Sequence, residues 1–173
     1  LDAEVIALAW RFYERLGLRR VALLVNSLGN PEDRARYVDA LTAHFSADAD
    51  ALSAESRKTL ATNPLRLLDS RRPEDADLVA AAPQMSDRLS DDAARHFDRV
   101  CGALDALDIP YTVSPRLVRG LDYYLRTTFE FIAEALDAAQ DAIGGGGRYD
   151  GLAEAMGAPP TPGVGFALGV DRT

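Results

Sequence analysis

The stretch RLVRGLDYYLRTTFEF, residues 116–131, packs three arginines, an Asp–Tyr–Tyr triplet and an alternating pattern into sixteen positions. Tyr124, Arg126, Thr128 and Glu130 alternate with Leu125, Thr127, Phe129 and Phe131, the period of a β-strand with one polar and one apolar face. Two readings are open. The polar face meets water on an exposed antiparallel sheet, or it walls a binding site. Arg119 beside Tyr123 and Tyr124 favours the second, because a guanidinium next to two phenols can hold an anion while the rings enclose a flat polar group.

Two later stretches bear on that choice. AIGGGGRYDGLAEAMG, residues 142–157, runs from an apolar lead through four glycines to Arg148 and a helix around Leu152 to Met156. Four glycines are compatible with a linker, but glycine inside a strand also lets a ligand or another backbone come close. PGVGFALGVDRT, residues 162–173, is a small-residue strand running into Asp171 and Arg172. Neither stretch is a nucleotide loop of known fingerprint. No G-x-x-x-x-G-K-[ST] occurs, and Gly145/Gly147 and Gly163/Gly165 lack the third glycine of G-x-G-x-x-G.

Ahead of these, DAEVIALAWRFYERLGL (2–18) puts Val5, Leu8, Ala9, Phe12 and Leu16 on one stripe, predicting an amphipathic helix ended by Gly17. VALLVNS (21–27) reads as a buried strand. NPEDRARYVDALTAHF (30–45) reads as a helix with Asn30 as N-cap, Pro31 in its first position and Glu32 and Asp33 in its first turn. From 46 to about 109 the strand pattern vanishes, and short helical segments alternate with TNP, SRRPED and AAPQMSD. The clearest element there is the helix capped by Ser90, in which Phe97, Val100, Cys101, Leu104 and Leu107 fall at helical spacing. Strand pattern returns at YTVS (111–114).

Composition narrows the function. The 173 residues are 47% hydrophobic, enough for one core and a small appended lobe. A net charge of -8 argues against a broad nucleic-acid-coating surface, so any RNA contact is local. Residues 46–109 hold 13 Asp plus Glu against 8 Lys plus Arg, net -5, which confines phosphate contacts there to edges such as Ser70–Arg72. Of 19 basic residues only Lys58 is a lysine, a bias toward bidentate guanidinium contacts or toward coding composition. The one cysteine, Cys101, forms no internal disulfide and reads as packing. His44 and His96 stand apart from each other and from any cysteine cluster, giving no zinc site and no Ser/His/Asp triad. Without a leader or a long apolar run, the expectation is a cytoplasmic protein with no membrane partner.

In this order and spacing, LVRGLDYY (117–124), GGGRYDGL (145–152) and GVGFALGVDR (163–172) resemble the histidyl-tRNA synthetase family. The first two resemble that family's signature motifs, the third resembles motif 3 of class II aminoacyl-tRNA synthetases. DAEVIALA, LLVNSLGN and TNPLRLLDS resemble its bacterial members, so the likeness covers essentially the whole chain.

The resemblance implies an α+β fold: part of the class II antiparallel sheet with flanking helices, plus a mainly helical insertion. It divides the chain into a first part of the catalytic core (1–45), a helical insertion (46–113) that approaches the acceptor end of tRNA(His), and a second part of the core (114–173). It implies histidine and ATP as substrates, magnesium accompanying ATP, and a homodimeric full-length enzyme. Arg119 becomes the catalytic cation, touching the ATP α-phosphate and the histidine carboxylate. Tyr123, Tyr124 and Tyr149 line the histidine pocket over Gly145, Gly146 and Gly147. Gly163, Gly165 and Gly169 keep the strand under the adenosine thin, and Arg172 holds the γ-phosphate. Arg148 has a structural alternative, Asp122 is expected to orient a neighbouring arginine, and Glu130 reads as a fold residue. Motifs 1 and 2 are expected before Leu1 and an anticodon-binding domain after Thr173, so the chain alone is expected to be inactive. The alternatives are a non-catalytic paralogue such as the regulatory subunit of ATP phosphoribosyltransferase, and a helical binding module scaffolded by strands.

Overall fold

A computed structural model describes residues 1–118, 123–133 and 141–172. The chain opens with helix α1 (Asp2–Arg15), strand β1 (Val21–Ser27) and helix α2 (Pro31–Ala47). Two short helices, α3 (Ala54–Thr62) and α4 (Ala76–Ala80), follow among 3-10 turns, then α5 (Asp91–Ala106). Strands β2 (Thr112–Val113), β3 (Leu125–Ala133), β4 (Ala142–Arg148) and β5 (Val164–Leu168) complete the sheet, with a single turn, α6 (Leu152–Ala155), before β5.

The sheet order is β2-β1-β3-β4-β5. Only β1 and β2 run parallel; β1 with β3, β3 with β4 and β4 with β5 are antiparallel. The expected mixture of antiparallel sheet, flanking helices and helical segment is what forms. Local chemistry accounts for the element ends. Gly17 turns the chain out of α1 at φ +82, where a Cβ would be strained. The Asn30 amide donates to Asp33 at 3.0 Å at the start of α2, and the Ser90 hydroxyl accepts from the Ala93 amide at the start of α5.

Two apolar clusters form. The first joins Ile6, Ala9 and Tyr13 of α1, Val100 and Leu104 of α5, and Leu23, Val25, Phe129, Phe131 and Ile143 of the sheet. The second joins Tyr37, Leu41 and Phe45 of α2 to Leu67, Leu68, Val79 and Met85 of the helical segment, and to Val118 and Tyr124. Helix α5 falls inside the span 46–113 expected to be insertion, yet it packs with α1 and the sheet, and β2 pairs with β1. Strand loss between 46 and 109 cannot distinguish a helix of the insertion from a helix backing the sheet, because both carry the same period.

The α1 stripe is corrected. Leu8, Phe12 and Leu16 are 64%, 41% and 52% exposed, while Ala3, Ile6, Ala9 and Tyr13 are buried. Of the expected stripe Ala9 is buried and Val5 packs half-buried against the core, so the buried face is rotated toward Ala3, Ile6 and Tyr13 and away from Leu8, Phe12 and Leu16. Tyr13 then reaches across to donate to the Ile143 carbonyl at 3.2 Å. In α5, Val100 and Leu104 are buried as expected, but Leu107 is exposed and Cys101 is only half-buried. Burial pushes the Cys101 thiol up, the wrong direction for a nucleophile.

Candidate active site

The glycine tract of β4 serves both faces of the sheet. Register sets Gly144 and Gly146 opposite Phe131 and Phe129, on the α1 side, and Gly145 and Gly147 opposite Glu130 and Thr128, on the other. A Cβ on Gly144 would stand 2.3 Å from the Tyr13 hydroxyl oxygen. One on Gly146 would stand 2.0 Å from the Gly165 carbonyl oxygen and 2.7 Å from Phe166 Cα. These two glycines are thus required by packing behind the sheet. Gly146, expected at the histidine pocket, turns toward the opposite side from Gly147.

On the other face the glycines make room for phenols. A Cβ on Gly147 would lie 2.8 Å from Tyr124 Cδ1, and one on Gly163 would lie 2.4 Å from the ring of Tyr149. At Gly165 the Tyr149 hydroxyl would be 2.8 Å away. The three rings form one group: Tyr123 and Tyr124 have centroids 4.8 Å apart, and Tyr149 stands 6.2 Å and 6.4 Å from them. Tyr124 is 7% exposed and Tyr123 38%, so the group has a buried base and an open edge. That edge borders a groove of about 910 Å³ lined by Arg34, Val38, Asn63, Leu65, Tyr123 and Leu125. A volume of this size takes a ligand as large as a nucleotide.

The approach to this site is set by a break in β3. Leu125 pairs with Arg148, but Thr128 pairs with Gly147, so residues 126 and 127 bulge out. Arg126 has φ 53, exchanges backbone hydrogen bonds with the 28–29 turn at 2.6 Å and 2.8 Å, and pairs with Asp92 at 2.7 Å. The bulge interrupts the simple alternation expected along 124–131: Thr127 is wholly buried on the side of Phe129 and Phe131, as expected, whereas Leu125, expected on that side too, lines the groove with Tyr123. On the neighbouring strand, buried Asn26 donates to the carbonyls of Pro115 and Leu117 at 3.3 Å and 3.2 Å, tethering the segment that leads to residue 119. Arg119 and Asp122 lie outside the described residues, as does the side chain of Arg172. Gly169 donates its amide to the Ile143 carbonyl at 2.8 Å, at the end of β5.

Arg148 takes the structural place left open for it. Its Nε donates to Asp2 Oδ2 at 3.1 Å, its Nη2 to Asp2 Oδ1, and its Nη1 to Asp150 Oδ1 at 2.9 Å. Asp2 also accepts from Thr127 Oγ1 at 2.6 Å, and His96 Nε2 lies 3.0 Å away. Burial by itself would raise the Asp2 carboxyl, but the bonds from Arg148, Thr127 and His96 bring it down to about 2. Sequence inspection misses Asp2, Thr127 and Asp150. Only Asp150 leaves a signal, its spacing of two from Arg148 at a strand end, which puts both on one side. Near the 3-10 turn at 64–69, burial and the Glu130 carboxylate hold Asp69 above the usual range, so that turn lies close to the polar face of β3.

The sequence profile of the family described as histidyl-tRNA synthetase matches residues 1–173. The histidine–tRNA ligase of Nocardia farcinica (strain IFM 10152) is 51% identical over 173 residues, which are 100% of this chain and 40% of that protein. Among solved structures, apo Staphylococcus aureus histidyl-tRNA synthetase superposes with a TM-score of 0.75 at 36% identity, covering 99% of this chain and 41% of that one. An ATP phosphoribosyltransferase regulatory subunit/histidyl-tRNA synthetase from Bacillus halodurans C superposes at 0.61 with 20% identity, covering 98% of this chain and 48% of that one, which is a likeness of fold alone. The helix-backed, largely antiparallel sheet, with its glycine strand under phenols, is therefore catalytic-domain architecture of a class II aminoacyl-tRNA synthetase. Within that class, the chain belongs to the histidyl-tRNA synthetase family. It spans about 40% of the length of the curated relatives it matches.

Proposed function

We propose that the protein carrying this chain activates histidine with ATP and transfers it to tRNA(His). In the first step the histidine carboxylate attacks the α-phosphate in line, forming histidyl-adenylate and releasing pyrophosphate. Charge builds on the α-phosphate oxygens, and a fixed cation stabilises that transition state more than the ground state. Arg119 is assigned this role. Tyr123, Tyr124 and Tyr149 bind the imidazole side, with Gly145 and Gly147 beneath them. Hydrogen bonding to a buried imidazole rejects apolar amino acids of similar size far better than shape alone. Gly163, Gly165 and Gly169 belong to the ATP side of the site, where Arg172 is assigned to the γ-phosphate. Magnesium would arrive with ATP and offset phosphate charge; among the described residues no group of three or more His, Cys, Asp and Glu is placed to cage a metal.

One observation carries the reading: phenols from two separate signature motifs meet over glycines of two adjacent strands. Identity of 51% to a histidine–tRNA ligase over the whole of this chain favours the enzyme over its non-catalytic relatives. The helical segment is proposed to meet the tRNA acceptor end, and the full-length protein to be a cytoplasmic homodimer. Among the described residues no helix is long and apolar enough to cross a membrane. The test is histidine-dependent ATP–pyrophosphate exchange by the full-length protein, with Arg119→Ala expected to abolish it. Exchange by residues 1–173 alone would contradict the proposal that this chain is inactive by itself.

A further inference from the structure

We propose that Asp2 is a positioning residue for the amino-acid pocket, holding both tyrosine-bearing segments in place from behind the sheet. The proposal rests on the reading of Tyr123, Tyr124 and Tyr149 as walls of the histidine pocket.

Asp2 lies at the first turn of α1 and is 3% exposed. On one side it takes the fork of Arg148, two parallel bonds to its two oxygens. Arg148 in turn grips Asp150, and Asp150 Oδ1 accepts from the Gly163 amide at 3.1 Å. Tyr149 stands between these two anchored residues, and its own amide donates to the Gly163 carbonyl at 2.8 Å. Strand alternation does the rest: with the side chains of 148 and 150 drawn toward α1, the ring of 149 must leave on the opposite face, onto Gly163 and Gly165. On its other side Asp2 accepts from Thr127, inside the β3 bulge that immediately follows Tyr123 and Tyr124. One carboxylate thus ties the bulged start of β3 to the end of β4 from the face opposite the phenols.

A change of one atom separates positioning from bulk. Asp2→Asn keeps size and removes the charge that fixes the Arg148 fork. In the full-length protein, assayed by ATP–pyrophosphate exchange, it is expected to raise the histidine KM roughly tenfold, the order that follows from small misplacements of a binding group. The ATP KM is expected to stay within about twofold. Asp75→Asn removes a buried carboxylate of the helical segment and is expected to move neither KM, which separates positioning from destabilisation. If Asp2→Asn does not fold, Arg148→Lys, which keeps the charge and loses the fork, is read in the same way. An unchanged histidine KM, equal rises in both KM values, or failure of both variants to fold overturns the proposal. Wild-type protein without histidine-dependent exchange overturns the reading of the site itself, and the proposal with it.

Discussion

Two buried carboxylates, Asp2 behind the sheet and Asp75 in the helical segment, solve the same problem differently. Asp75 is wholly buried and accepts from the Ser53 amide at 2.9 Å and from the hydroxyls of Ser56 and Ser70 at 2.5 Å each. Its bonded partners are neutral and lie within 22 residues. Asp2 is held by a guanidinium 146 residues away and a hydroxyl 125 residues away. Burial would raise both carboxyls, and hydrogen bonds bring both below their ordinary value. Local hydroxyls and amides suffice to staple neighbouring turns of a segment with little regular structure. A cation is used where distant strands must share one geometry, because removing either partner leaves a buried charge and so makes the arrangement all-or-none.

The sharpest way to break this contrast is to truncate each acid and compare unfolding in urea. Asp2→Ala takes from the buried Arg148 guanidinium its forked partner, leaving it the single bond to Asp150, and is expected to cost about 3–5 kcal/mol. Asp75→Ala leaves two hydroxyls and an amide unpaired, with an expected loss of about 2–3 kcal/mol. If the order is reversed, distant ionic tethering is not what distinguishes the sheet from the helical segment.

Acid sharpens the same point. The Asp2 carboxyl sits near 2 in the fold against an ordinary 3.8, so its contribution is fully present above about pH 4 and is lost as pH falls through 2. The stability difference between wild type and Asp2→Asn is therefore expected to be constant above pH 5 and to shrink by roughly 2 kcal/mol toward pH 2. A difference that grows on acidification would contradict the assignment. The smallest effect is expected from Thr127→Val, which removes one of several donors to Asp2 and should cost about 1 kcal/mol, read as a change in the urea midpoint.

Legibility follows this division between near and far. The capped start of α2 at Asn30–Asp33, the Ser90 cap of α5 and the Gly17 stop are contacts within a few residues, and each is written in adjacent letters. So is the apolar run of β1, read as a buried strand. The α1 stripe misleads because periodicity weighs large side chains. The sheet instead takes a neighbouring face of the helix, which brings Ile6 and Tyr13 into the core beside Ala9. The bulge at Arg126–Thr127 is equally hidden, since an alternating run gives no sign of where a partner strand slips.

Residue types and spacing alone determined that glycines and arginines recur in three stretches of a family pattern, two of them carrying phenols, and that the chain mixes helices with sheet. Tertiary structure alone decided which glycine faces which side, that Tyr123, Tyr124 and Tyr149 share one surface, and that Asp2 holds Arg148. The physical reason is that local bonds are encoded by neighbours in sequence, whereas the facing of a strand and the partner of a buried charge are settled only when distant segments exclude water together.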